Sequence, residues 1–91
     1  MSLLQTLAVR IIKEQELIIG PLAWHEAEKV SGLTVSADHE VTLQQENPEV
    51  VDGLVSQYER LFGRASREAC KEAVRDMIGD VPADQLPSSL K

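Results

Sequence analysis

From Leu3 to Ile19, apolar residues fall at positions 3, 4, 7, 8, 11, 12, 18 and 19. That three-and-four spacing puts them on one face of an α-helix. Val9 and Leu17 widen the face, leaving the polar side to Thr6, Arg10, Lys13, Glu14 and Glu16. Such a helix has more apolar circumference than one small neighbour covers. Gly20-Pro21 interrupts it. Proline has no N–H to donate, its ring collides with the carbonyl of Leu17, and the residue before it is pushed out of helical dihedrals. Two outcomes fit: a kink in one long helix, or a stop at Gly20 and a new helix with Pro21 in its first turn. On either, Pro21 to Val30 is helical and Ser31-Gly32 ends it.

The period then changes. Leu33 and Val35 alternate with Thr34 and Ser36, and Val41 and Leu43 alternate with Thr42 and Gln44. The polar run Ala37-Asp38-His39-Glu40 lies between them. Alternation around a polar turn predicts a short hairpin over about 33–44. Two strands are marginal alone, so this hairpin must lean on helices or on another chain. Asn47-Pro48-Glu49 is a helix start, with a capping side chain, proline in the first turn and an acid near the positive end. Val50, Val51, Leu54, Val55, Tyr58, Leu61 and Phe62 form its apolar face, and Gly63 closes it. A last helix is expected from about Ser66 to Ile78, with Ala69, Cys70, Ala73, Val74, Met77 and Ile78 inward and Gly79 as its stop. The expected fold is therefore α+β and predominantly helical: a long or kinked N-terminal helix, a small β-hairpin, then an antiparallel helix pair. Residues 1–80 form one compact domain in this reading, and 81–91 a C-terminal tail.

Composition narrows what such a domain can do. A chain of 91 residues holds one core, and Trp24, Tyr58 and Phe62 are its only aromatic residues, so that core is aliphatic. Cys70 is the single cysteine, which excludes an intrachain disulfide and a multi-cysteine zinc site. A formal charge of −6 repels phosphate backbones and favours solubility. The N-terminal segment lacks a cationic stretch before an unbroken apolar run, so it does not read as a secretory signal. Its four internal charges also exclude a spanning helix. A cytoplasmic protein is the default expectation, and no membrane partner is expected.

Three groups of residues invite a chemical reading. Arg60, Arg64, Arg67, Lys71 and Arg75 recur at steps of four, three, four and four. An exposed stripe of that kind would suit an anionic partner. The short junction Phe62-Gly63-Arg64-Ala65 before the Ser66 helix has the form of a helix-turn-helix, which would bring Arg67, Lys71 and Arg75 to DNA. Against both stand Glu59, Glu68, Glu72 and Asp76, which dilute the field and can pair locally. His25 and Glu28 are three apart on one helical face. Carboxylate-bridged metal sites in helical bundles use the order Glu-x-x-His, repeated, so these two are weak metal candidates. His39 reads as a turn residue, and nothing around Cys70 makes it a nucleophile. No cofactor is expected, and the lack of pocket-forming loops weighs against catalysis.

The remaining reading is a non-catalytic interaction or oligomerisation module: a homodimer, or a small subunit of a larger assembly. Leu4, Leu7, Ile11, Ile18 and Leu22 line the stripe expected to meet the partner. The alternatives are a DNA-binding protein using the Ser66 helix and a metal- or ligand-binding helical subunit.

Overall fold

The computed structural model describes residues 2–91. Among these the chain forms four α-helices, one two-stranded hairpin and three 3-10 turns. Helix α1 spans Leu3–Ile19 and opens on a capping box. The Gln5 amide donates to Ser2 Oγ at 3.0 Å, and the Ser2 amide donates to Gln5 Oε1 at 3.2 Å. Two amide donors that the first turn leaves open are satisfied in this way. Gly20-Pro21 is a corner, not a kink. Gly20 sits at φ 72° and ψ −156°, and its N–H closes α1 on the Glu16 carbonyl at 2.8 Å. A side chain disfavours that φ, which is why glycine stands there. Helix α2 (Leu22–Glu28) then begins, and Trp24 Nε1 reaches back to donate to Glu16 Oε2 at 2.8 Å.

Strands β1 (Leu33–Val35) and β2 (Val41–Leu43) pair antiparallel, with Leu33 opposite Leu43, Thr34 opposite Thr42 and Val35 opposite Val41. Leu33, Val35, Val41 and Leu43 turn inward while Thr34 and Thr42 face water, as the period of two requires. The hairpin leans on helices of its own chain. Gln5 Nε2 donates to the Val41 carbonyl at 2.8 Å, so α1 covers one edge of β2. His39 occupies the turn at φ 63° and stacks on Trp24, ring centroids 4.1 Å apart.

Helix α3 (Pro48–Phe62) is capped by Asn47, whose side chain accepts from the Glu49 amide at 2.9 Å. It buries Val51, Leu54, Val55 and Tyr58. Gly63, at φ 90°, turns the chain into α4 (Arg64–Ala73). That helix starts two residues before the expected Ser66 and stops well short of Ile78. At Val74 the backbone leaves helical dihedrals (φ −119°, ψ 8°). The chain continues as a turn in which Asp76 meets Arg10 at 2.6 Å, then a 3-10 turn at Ile78–Asp80. Ending α4 early lets the chain bend back over the core, so that Val74 and Val81 are both buried.

The segment expected as a tail is seated on the bundle. Val81, Pro87, Ser89 and Leu90 are buried. The Asp52 carboxylate on α3 accepts from the amides of Ser88 (3.3 Å) and Ser89 (2.9 Å). Asp52 thereby acts as a cap for the last 3-10 turn, Ser88–Leu90.

Contacts between elements set their relative directions. Gln15 on α1 meets Ser66 and Cys70 on α4, and Arg10 meets Asp76, so α1 and α4 run antiparallel. From α2 into the hairpin, Ala23 meets Tyr58, Glu26 meets Gln57, Val30 packs on Gly53 and Gly32 on Val50. That series also runs opposite to α3. Both registers, extended one turn, bring the Gly20 corner and the Gly63 corner to the same end of the molecule.

Candidate interaction surface

The structure divides the expected interface stripe in two. Leu4, Leu7 and Ile11 are fully buried in the chain's own core, because α2, α3, α4 and the hairpin cover α1 over that length. They present no surface to a partner. Ile18 and Leu22, by contrast, are exposed by 58% and 43%.

Ile18 lies seven residues after Ile11 and three after Gln15, so it continues the buried stripe of α1 past its last covered position. Helix α3 does the same. Leu61 lies seven after Leu54, and Phe62 seven after Val55 and four after Tyr58. Those three predecessors are fully buried, while Leu61 and Phe62 are exposed by 47% and 36%. Leu17, on the outer flank of α1, is exposed by 82%. Of the six large apolar residues left exposed among the described residues, only Leu3 lies away from the two glycine corners. An apolar cluster of this kind, concentrated at one place, marks a contact surface more than scattered exposure does.

Beneath this end lies a polar contact that the periodicity skips. Position 15 is the missing beat of the α1 stripe, and Gln15 is fully buried there. Its Nε2 donates to the Ser66 carbonyl at 3.0 Å and to Cys70 Sγ at 3.5 Å. Its Oε1 has no partner among the described residues. Gln15 therefore ties α1 to the first turn of α4 with half of its amide and leaves the other half unsatisfied. A polar residue on an otherwise apolar beat was the available signal for it. Cys70 is buried, and that burial pushes its thiol up to about 12, which removes thiolate chemistry at neutral pH. Tyr58 donates from its hydroxyl to the Ala23 carbonyl at 2.7 Å, and burial raises its pKa well above the usual range.

The cationic residues do not form a free face. Arg67 lies 3.8 Å from Glu59, Lys71 lies 3.8 Å from Glu68, Arg75 pairs with Glu72, and Arg60 donates to Gln57. Arg64 alone in that series makes no ion pair or side-chain hydrogen bond among the described residues. His25 and Glu28 are both exposed on α2, and no three His, Cys, Asp or Glu side chains come together as a metal-binding group among the described residues. Glu26, next to His25, is the carboxylate the fold uses. It accepts from Gln57 Nε2 at 2.7 Å and Lys29 Nζ at 3.0 Å, and those bonds hold its pKa below the usual 4.5. Among the described residues no helix is long and apolar enough to cross a membrane.

No family model, no curated protein and no solved structure matches this chain. Its functional reading rests on its own geometry.

Proposed function

We propose that this chain is a non-catalytic protein-interaction or oligomerisation module that docks onto protein through the end of the bundle holding Gly20 and Gly63. One observation carries the reading: the core stripes of α1 and α3 overrun their cover at the same end, leaving Ile18, Leu61 and Phe62 in water beside Leu17 and Leu22. Burying a side chain of this size contributes about 1.5–3 kcal/mol, so a few of them suffice to hold a complex. A lone buried thiol suits a reducing compartment such as the cytoplasm.

The test is site-specific photo-crosslinking in the cells that make the protein. A photoreactive residue replacing Leu61 or Leu17 should give a discrete protein adduct, while one replacing exposed Thr34 on the hairpin gives none. Equal labelling from both regions, or none from either, would overturn the proposal.

A further inference from the structure

We propose that the face of α3 and α4 beneath residues 81–91 is a second docking site, and that this segment is a strap filling it until a partner displaces it. The partner is a protein segment of the strap's own chemistry: a proline, two residues offering adjacent amide and hydroxyl donors, then a large apolar residue. The inference is independent of the surface around Leu17, Ile18 and Leu61.

The strap is attached as a bound peptide is. From Pro82 onward its backbone hydrogen bonds close only on itself: Gln85 on Pro82, Leu86 on Ala83, Leu90 on Pro87 and Lys91 on Ser88. Its hydrogen bonds to the rest of the described residues all end on one carboxylate, that of Asp52 on α3. The amides of Ser88 and Ser89 donate to it at 3.3 and 2.9 Å, and their hydroxyls at 3.2 and 2.5 Å. The strap makes no ion pair among the described residues.

Apolar anchors supply the remaining hold. Pro87 and Leu90 are buried, whereas Pro82, Ala83 and Asp84 before them are exposed. The turn Ser88–Leu90 lies against both α3 and α4. The exposed stretch is therefore a tether, and the anchors beyond it can lift away without breaking a helix or a sheet.

The seat reads its occupant through features that any segment could supply. A carboxylate accepting from two consecutive amides fixes the ligand backbone, and the hydroxyls and the following apolar side chain give selectivity. A segment from another protein with the same pattern meets the same acceptor and the same apolar surface. The tether holds the strap at an effective concentration of about millimolar, so the resting site is closed. A partner's apparent affinity is its intrinsic one reduced by the fraction of chains whose strap is open.

The probe is a fluorescent peptide carrying Pro-Ser-Ser-Leu between unrelated flanking residues, titrated by anisotropy against the full chain. Leu90→Ser removes an anchor from the strap, and Ser89→Pro removes an amide and a hydroxyl donor; circular dichroism checks that each folds. Both variants should bind the probe about tenfold or more tightly than the unaltered chain. Adding Asp52→Ala to either should weaken binding about tenfold or more, and so should replacing the probe's leucine with serine. In the unaltered chain, saturating probe should accelerate hydrogen exchange over 87–91, which binding elsewhere would not do; this readout needs no variant. No binding to either loosened chain, binding indifferent to Asp52→Ala, or unchanged exchange over 87–91 would overturn the proposal. Crosslinks from Leu61 or Leu17 test the other surface and should be unaffected by these substitutions.

Discussion

The two ends of this bundle are finished differently. At one end the first turns of α1 and α3 are capped by Ser2 and Asn47, the hairpin lies against α1 through Gln5, and the last residues are held to α3 by Asp52. The hairpin's base and the C-terminal turn are spent there, and the hairpin's own turn reaches the other way only as far as Trp24. At the other end the chain turns twice, through Gly20 and Gly63, in a residue or two each time. Turns that short have no side chains to lay over the helix tips. The apolar stripes are the same at both ends, but only one end has something to cover them. In a small helical domain, exposure at a tip therefore follows from loop length as much as from the helix sequence.

Substitutions test that contrast, beginning with the largest effect. Leu54→Ala removes a fully buried side chain from α3 and should cost about 2–5 kcal/mol in urea unfolding. Leu61→Ala, one heptad further along the same stripe, should cost under about 1 kcal/mol. Equal losses at the two positions would mean that the open end is covered in solution.

The covered end can be loosened next. Asp52→Ala removes the acceptor for the Ser88 and Ser89 amides, at an expected cost of about 1–2 kcal/mol. Hydrogen exchange should accelerate over 87–91 and remain unchanged at the Gly63 corner. Acceleration at both would show that the two ends are not independent.

The smallest effect is a pH dependence. Hydrogen bonds from Gln57 and Lys29 lower the Glu26 pKa in the folded chain. The unfolded chain therefore binds more protons near the usual value of 4.5. The stabilisation is complete above that value and is lost as pH falls through the lowered one. Glu26→Gln, which resembles the protonated carboxyl, should flatten the acid limb by lowering stability at neutral pH while leaving stability at the acid end nearly unchanged. An unaltered acid limb would show that Asp76, also lowered by its Arg10 partner, carries the dependence instead.

Much of the fold was legible from local chemistry. The α1 stripe, the Asn47-Pro48 start and the alternation on either side of His39 each depend on neighbours within a few residues, and each appears where the pattern puts it. Errors came where tertiary packing overrode local pattern. Helical spacing continues through Met77 and Ile78, yet α4 ends at Ala73, because bending there buries Val81 and brings Asp76 to Arg10. A Pro- and Ser-rich C-terminus reads as a tail until an aspartate 36 residues earlier supplies its acceptor.

The surface divides in the same way. Sequence alone established that α1 carries a wide apolar face, that its charges keep it from crossing a bilayer, and that the cations of α3 and α4 come with acids at pairing distance. Those properties follow from side-chain identity and helical period. It could not separate Leu4, Leu7 and Ile11 from Ile18 and Leu22, since all five share the apolar character of one continuous stretch. Nor could it choose between a kink and a corner at Gly20-Pro21. Only the tertiary structure decided where the cover stops, because burial is a property of what lies opposite a residue. In this chain that is set by contacts up to 66 residues away in sequence.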